Sequence, residues 1–371
     1  MRISVIGAGL TGCTVARLMA DRGHQVTLFE GQSRIGGLCA TERLGAIDYC
    51  LYGSHVLHTD DAAVKEFLLR FAEFNGYTHF KATFVGGQYL PYPISYQTID
   101  RLPQREQIRF ELRRRPPELD TGNFEACLIS MMGPTLYEMF IRNYTQKLWG
   151  VAPRQLDADW APKRIEIRTD NSQSYFGAEW QGLPVGGFSP MLERMIEGIP
   201  VRLNCAIGSL QQALNLNAEL VISTVPIDHL QSYRHGRLEY RGIRQMVTVE
   251  ESWPNDHYGN INFPNDYRYI RKTNYTLCSK ARGASGLVMG YEYPVANGAM
   301  YPLLSATTKA RRELYLDDLA THDRIVSIGR LGLFKYYDMD EVVAWCIRHC
   351  EALESFTGQT EGWRREFYRR A

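Results

Sequence analysis

The feature that most constrains this chain is a glycine motif near its start, Gly7-x-Gly9-x-x-Gly12, which lies between a predicted strand and a predicted helix. Glycines allow a tight turn and let the backbone approach a pyrophosphate, and the third glycine lets helix and strand pack closely. The N-terminus of such a helix presents unpaired N–H groups and a partial positive charge to a phosphate. Glu30 follows 18 residues after the last glycine, where a carboxylate can accept both ribose hydroxyls. The pattern predicts a dinucleotide-binding βαβ unit over Ile3–Ile6, Thr11–Arg22 and Gln25–Glu30.

The residues that follow Glu30 indicate which dinucleotide is bound. Arg34, Gly36 and Gly37 form a combination that resembles the extended FAD fingerprint of the amine-oxidase-like flavoproteins. A guanidinium and two glycines at this point can reach the far side of the pyrophosphate, which a plain NAD domain does not require. We therefore expect FAD as the cofactor, and its contacts in this part of the chain are predicted at Gly7, Gly9, Leu10, Thr11, Gly12, Glu30, Arg34, Gly36 and Gly37.

Composition argues against several other classes of protein. The 371 residues carry a net charge of +1 and the pI is near 7.6. This balance lacks the basic excess typical of general nucleic-acid binders, so no nucleic-acid partner is expected. No apolar run approaches the ~18 residues of a membrane span, and no signal-peptide pattern precedes the first strand, so we expect a cytoplasmic protein. The eight cysteines are scattered without Cys-x-x-Cys spacing, which favours buried thiols and predicts no metal site.

The hydrophobic periodicity predicts an α/β fold: an FAD-binding Rossmann-like domain assembled from distant chain segments, a helical insertion domain and an antiparallel β-sheet domain. The apolar runs Leu220–Ser223 and Ile325–Ile328 can join the first strand in one sheet. Residues 124–149 favour a helix, whereas 236–305 alternate in the manner of antiparallel strands. The predicted domains are 1–60, 186–235 and 306–371 for the Rossmann-like domain, 61–150 for the helical domain, and 80–100, 151–185 and 236–305 for the antiparallel substrate-binding region.

Beyond the N-terminal unit, several motifs occur in the order found in one known family. They are Tyr52-Gly53-Ser54-His55-Val56-Leu57-His58-Thr59, Tyr144-Thr145-Gln146-Lys147-Leu148-Trp149-Gly150, Lys163–Arg168, Trp180–Gly187, Pro226-Ile227-Asp228, Leu238–Arg241, Gly329-Arg330 and Lys335–Met339. In these motifs the chain resembles the flavin-dependent UDP-galactopyranose mutases, from residue 3 to about residue 350. Chance could supply one such motif but not the ordered set.

The resemblance implies a site for the uracil end of a nucleotide sugar. The residues concerned are Phe140, Tyr144, Thr145, Trp149 and Asn262. Aromatic faces suit a planar base, and stacking on one is worth about 1–3 kcal/mol. Without the resemblance, the spacing of the three aromatic residues would favour the buried face of a helix.

The resemblance also implies roles for charged residues and tyrosines. Arg164 and Arg268 would bind the diphosphate and neutralise the UDP leaving group, and together with His58 they are the predicted catalytic residues. The His58 imidazole would hydrogen-bond to the cofactor or the sugar. The other expected substrate contacts are Tyr175, Tyr301, Tyr336 and Asp338, and the other expected cofactor contacts are His55, His58, Arg330, Asp338 and Met339.

The implied reaction interconverts the pyranose and furanose forms of a UDP-sugar, with UDP-galactose expected first. In the family, N5 of reduced FAD acts as the nucleophile at sugar C1, so no nucleophilic side chain is required. Because no net oxidation occurs, the flavin must be reduced beforehand by an external reductant, either NAD(P)H or a reductase. Bacterial members of the family also make a homodimer possible here.

Departures from the family pattern leave the sugar open. Leu90–Ile94 replaces a motif that contains Asn, and Ser54 and Leu57 replace the commoner Ala and Phe. A mutase acting on another NDP-sugar, such as an N-acetyl or deoxy sugar, is therefore an alternative. An amine-oxidase-like FAD oxidoreductase would share the N-terminal motif but would have no use for the stretch Tyr144–Trp149. A nucleotide-sugar-binding protein without activity would not need the flavin contacts.

Overall fold

The computed structural model describes residues 1–158, 165, 167–169, 173–280 and 286–370. The strands in these ranges are β1 (Arg2–Ile6), β2 (Gln25–Phe29), β3 (Thr41–Leu44), β4 (Ile47–Cys50), β5 (Leu57–Thr59), β6 (Lys81–Val85), β7 (Gln88–Tyr92), β8 (Trp180–Gly182), β9 (Val201–Arg202), β10 (Leu220–Ser223), β11 (Tyr240–Glu250), β12 (Asn260–Asn262), β13 (Arg271–Asn274), β14 (Leu287–Val295), β15 (Tyr301–Pro302) and β16 (Ile325–Ser327).

The helices in the same ranges are α1 (Leu10–Asp21), α2 (Ala62–Leu69), α3 (Tyr96–Asp100), α4 (Arg105–Arg113), α5 (Phe124–Met132), α6 (Pro134–Leu136), α7 (Asn143–Trp149), α8 (Phe188–Met195), α9 (Leu210–Leu214), α10 (Ile227–Leu230), α11 (Tyr275–Ser279), α12 (Ala306–Ala320), α13 (Gly329–Gly332), α14 (Met339–Glu354) and α15 (Glu361–Arg370). None of them is both long and apolar enough to cross a membrane.

A five-stranded parallel sheet carries the N-terminal glycine motif. Its strand order is β16-β10-β1-β2-β9, so segments far apart in the chain lie side by side. Four of the five residues of β1 are buried, as are all of β10 and β16, which is typical of parallel strands covered on both faces. The predicted Rossmann-like domain assembled from distant segments is thus confirmed.

The second large sheet has seven strands in the order β15-β11-β14-β13-β12-β6-β7. Most neighbouring strands are antiparallel, as expected from the alternation in residues 236–305. The pair β6 and β12 is parallel, because β6 enters the sheet from the earlier part of the chain. The predicted antiparallel sheet is therefore confirmed, and it contains this one parallel pairing.

The predicted single helix over residues 124–149 is broken in the middle. Gly133 has φ +80°, and a Cβ there would lie 2.8 Å from the Cβ of Glu111. Pro134 then begins α6, where its missing N–H costs no helical hydrogen bond. A π-helical turn over Tyr137–Arg142 follows and leads into α7. The break and the wider turn redirect the second half of this segment toward the seven-stranded sheet, which it contacts through α7 and β14.

Candidate active site

In the turn between β1 and α1, backbone segments pack directly against each other. Gly7 has φ +96°, and a Cβ on Gly12 would lie 1.8 Å from the Gly7 carbonyl oxygen. The Glu30 carboxylate accepts a hydrogen bond from the Ala8 N–H at 2.8 Å, which ties the end of β2 to this turn. No side chain caps α1, so its first N–H groups remain directed toward whatever lies above the turn.

A cavity of about 340 Å³ lies above this turn. Its shape fits a dinucleotide, because glycine backbone lines the part where a Cβ would obstruct a pyrophosphate, and a helix N-terminus and an arginine border it. The lining includes ten of the predicted cofactor contacts, namely Gly7, Gly9, Leu10, Thr11, Glu30, Gly37, His55, Arg330, Asp338 and Met339. Lining residues that were not predicted include Gln32, Cys39, Thr224, Val225, Pro226 and Tyr337.

Four predicted cofactor residues do not line the cavity, namely Gly12, Arg34, Gly36 and His58. Gly12 packs under the turn, and Gly36 pairs with Gly9, where a Cβ would lie 2.8 Å from the Ala40 Cα. Arg34 is exposed and forms an ion pair with Glu42 on β3, which also accepts a hydrogen bond from Tyr49. The structure therefore does not bring the Arg34 guanidinium into the cavity.

Two histidines were predicted as cofactor contacts, and of these His55 lines the cavity while His58 lies next to its lining residue Asp338. Burial lowers the pKa of His55 to about 4, and its Nδ1 lies 2.9 Å from the Gly53 carbonyl. A neutral ring that donates from Nδ1 leaves Nε2 as an acceptor. The His58 ring stacks on Phe176 with centroids 3.6 Å apart. His58 is therefore held by an aromatic face as well as by its place on β5.

His58 belongs to a cluster with two carboxylates. The ring nitrogen and the oxygens of Asp338 and Asp340 all lie within 4.8 Å of one another. Burial raises the pKa of Asp340, and Asp338 adds to the rise. The cluster places proton-carrying groups beside the cavity, and the absence of a metal from this protein stays a prediction.

A second pocket brings together eight of the predicted substrate residues. The π-helical turn and α7 supply Phe140, Tyr144, Thr145 and Trp149 on one side. The other side contains Asn262 of β12 and Tyr301 of β15, with Tyr175 and Tyr336 from the adjoining loops. Aromatic faces on one side and polar groups on the other suit a ligand with a planar ring and a charged part.

The two arginines predicted for the diphosphate are not brought to this pocket. Arg164 lies outside the described residues. Arg268 is exposed in the loop between β12 and β13. Among the described residues, the arginine that lines the pocket is Arg271, at the start of β13, which was not predicted from the sequence. Arg271 belongs to the strand and lines the pocket, whereas Arg268 lies three residues earlier in the exposed loop.

Buried charges form the floor of the pocket. The Arg271 guanidinium lies 2.6 Å from the carboxylate of the fully buried Glu292, and it donates to the Tyr301 hydroxyl at 3.2 Å. Ser54 donates its N–H to the same carboxylate at 3.1 Å. Lys81 of β6 is also buried and lines the pocket. Ser54, one of the departures from the family pattern, thus lies under the floor, and Lys81 and Glu292 were missed because neither belongs to a motif.

Arg330 connects the two sites. It lines the dinucleotide cavity, and its guanidinium lies 5.0 Å from the ring centroid of Tyr336 and 5.8 Å from that of Tyr301. These two rings stack on each other at 5.9 Å and line the second pocket. The cavity above the glycine turn is thus joined to an aromatic and cationic pocket. This arrangement defines a dinucleotide-dependent enzyme with a separate substrate site next to its cofactor.

The chain belongs to the UDP-galactopyranose mutase family, whose profile matches residues 139–336, more than half of the chain. The NAD(P)-binding Rossmann-like domain profile matches residues 5–71. A probable UDP-galactopyranose mutase of Klebsiella pneumoniae is 29% identical over 97% of this chain and 96% of its own length. A dTDP-fucopyranose mutase of Escherichia coli is 26% identical over 95% and 97%.

A crystal structure of a reduced UDP-galactopyranose mutase has the same fold, with a TM-score of 0.79 and 19% identity over 98% of both chains. The family makes this protein an isomerase, and its Rossmann-like domain together with the family implies a flavin cofactor. Both expectations drawn from the motifs are confirmed at this level.

Proposed function

We propose that this enzyme interconverts UDP-galactopyranose and UDP-galactofuranose and that its flavin is FAD, active in the reduced state. The observation that carries the proposal is the junction at Arg330, because a ligand in the aromatic pocket would place its sugar beside the cofactor cavity. The names of the relatives in Klebsiella pneumoniae and Mycoplasma pneumoniae support the same substrate.

The base and diphosphate would be held by different groups. Tyr144 and Trp149 offer aromatic faces to the uracil, and Asn262 offers an amide. Arg271 would hold the diphosphate together with the Tyr301 hydroxyl, and Glu292 fixes the guanidinium in place. We propose Arg164 as a further diphosphate ligand, on the resemblance of its segment to the family.

The cofactor would contribute a nucleophile to the reaction. When bound and reduced, FAD supplies N5 as a nucleophile toward sugar C1. The chain's own residues would position C1, stabilise the negative charge on the departing UDP through Arg271, and keep UDP in the pocket until it returns. His58 is a proton-carrying side chain next to Asp338 of the cofactor cavity, and we propose that its imidazole exchanges protons with the sugar hydroxyls while Asp338 and Asp340 orient it.

Turnover of UDP-galactofuranose by purified protein tests the proposal. The dithionite-reduced enzyme should convert it to UDP-galactopyranose, whereas the oxidised enzyme should not, because N5 is nucleophilic only in the reduced cofactor. Chromatographic separation of the two nucleotide sugars measures the conversion. Equal rates in both states would contradict the role of the reduced flavin.

The same assay separates the alternatives. A dTDP-linked deoxy sugar is the second substrate to test, because the Escherichia coli relative is named a dTDP-fucopyranose mutase and covers as much of the chain. Conversion of that sugar alone would keep the mechanism and change the substrate. Substrate-dependent reduction of the flavin, with no isomerised product, would favour the amine-oxidase-like oxidoreductase.

A further inference from the structure

Lys81 is a buried cation that nothing in the proposed mechanism yet uses. Its side chain is 5% exposed and lines the substrate pocket. Its Nζ lies 4.3 Å from the ring centroid of Tyr175. In the described part of the chain, no carboxylate lies within ion-pairing distance of this nitrogen. A buried lysine without an acidic partner is costly, so an anion that fills the pocket would relieve that cost.

The sheet register explains why the lysine faces the ligand. Lys81 and Thr83 are two residues apart on β6 and share one face, with Asn260 and Asn262 beside them on β12. Arg271 is the partner of Asn262 in the next strand. Five strands therefore present a polar row that runs through Thr83, Asn262, Arg271, Glu292 and Gln245.

Two further features of this floor point to a charged ligand. The Asn262 Oδ1 atom is buried and has no hydrogen-bond partner among the described residues, although the residue is only 6% exposed. The buried charges are also unequal, because among the described residues Lys81 and Arg271 face a single carboxylate, Glu292. A ligand with a negative group and a hydrogen-bond donor would satisfy both.

We infer that Lys81 is a substrate-binding residue whose ammonium group pairs with the diphosphate of the nucleotide sugar, and that this pairing makes binding tighter as the pH falls. The inference rests on the proposed function only in requiring a ligand that carries a diphosphate. It adds a third cation, whose charge can change within the physiological range, to the two arginines proposed for the diphosphate, Arg164 and Arg271.

Among the groups on this floor that the structure describes, Lys81 is the one whose pKa lies near neutrality. Burial, with the nearby Arg271, lowers the pKa of Lys81 to about 7. Burial also lowers the pKa of His79 well below its usual value, and raises those of Tyr92 and Tyr144, so these three stay neutral. In the described ranges, the other charged groups that face Lys81 are Arg271, which stays positive, and Glu292.

The sign of the pH effect follows from this arrangement. The free protein has Lys81 about half protonated at pH 7, and a bound diphosphate would raise its pKa. Affinity is then highest where Lys81 is already charged, and it falls by up to about tenfold per pH unit above pH 7. Between pH 6 and pH 8.5 we expect about 30-fold weaker binding, with about one proton taken up per ligand at pH 8.

Calorimetric titration of the holoprotein with UDP-glucose tests this inference, because its esterified diphosphate keeps the same charge over this pH range. Lys81→Met should weaken binding about 10- to 100-fold at pH 6, the range expected for a lost charged hydrogen bond, and should abolish the pH slope. Lys81→Arg should bind well at pH 6 and also lose the slope, since arginine stays charged.

Lys272→Met is the matched control. Lys272 is the neighbour of Arg271 on β13, but it pairs with Glu250 at 2.7 Å on the other face of the sheet. That variant should keep the wild-type slope. A slope that persists in Lys81→Met would assign the titration to another group, such as His58, and overturn the inference. Wild-type protein that binds no UDP-linked and no dTDP-linked sugar would instead overturn the proposed function, and the inference with it.

Discussion

Replacing Arg271 with methionine is expected to lower the free energy of unfolding by about 3–5 kcal/mol, the typical cost of leaving a buried charge without its partner. Glu292 is fully buried, and Arg271 is its ion-pair partner at 2.6 Å. Methionine fills a similar volume but cannot compensate the carboxylate. The Ser54 N–H would remain as a hydrogen-bond donor to Glu292, so the carboxylate would keep only part of its stabilisation.

The double variant Arg271→Met/Glu292→Gln separates this stability effect from the loss of a ligand contact. A neutral amide can still accept the Ser54 N–H, so we expect most of the lost stability to return. Binding of UDP-glucose should not return, because the guanidinium is still missing. Urea unfolding followed by circular dichroism measures the coupling between the two residues. The four proteins of the cycle can be compared if their unfolding free energies depend on urea concentration with the same slope.

Arg268→Met is the control for this experiment. Arg268 is exposed, and substitutions at such surface positions usually change stability by less than about 0.5 kcal/mol. A loss of less than about 1 kcal/mol for Arg271→Met would contradict the assignment of a buried, uncompensated carboxylate. Loss of UDP-glucose binding in Arg268→Met, with Arg271→Met unaffected, would return the diphosphate contact to the residue predicted from the sequence.

The dinucleotide-binding turn between β1 and α1 could be predicted from the sequence because the residues that form it are close together in the chain. Strand, glycines and helix follow one another within Arg2–Asp21, and Glu30 comes at the end of the next strand. Each of these signals depends on residues a few positions apart. The same holds for the aromatic group from Phe140 to Trp149, whose motif lies on a single helical segment.

The charged floor could not be predicted because it depends on pairing between distant strands. Lys81 and Glu292 are brought to one face by the register of β6, β12, β13 and β14, and no local pattern encodes the parallel pairing of β6 with β12. Arg268 was preferred to Arg271 because a motif match cannot show where the loop ends and the strand begins. The position of Arg34 outside the cavity has another cause, since a guanidinium near a phosphate-binding turn can equally pair with an acid such as Glu42 on an adjacent strand.

The second prediction of a large effect concerns Gly12 in the glycine motif. Gly12→Ala is expected to yield protein without bound flavin and with strongly reduced stability. The added Cβ would lie 1.8 Å from the Gly7 carbonyl oxygen and 3.0 Å from its carbonyl carbon, and these are backbone atoms that no rotamer change can move. Helix α1 would have to shift away from β1 by more than an ångström, which would displace the N–H groups above the turn.

The measurement is the flavin absorbance of purified protein relative to its protein concentration, together with far-ultraviolet circular dichroism. Gly358→Ala is the matched control, because nothing lies within 4 Å of a Cβ at that position and its φ is not positive. It should retain the wild-type flavin content. A Gly12→Ala protein with full flavin content would contradict the packing argument. Loss of flavin with a native spectrum would show that the glycine serves mainly the approach to phosphate, whereas loss of both would show that the contact between α1 and β1 also maintains the fold.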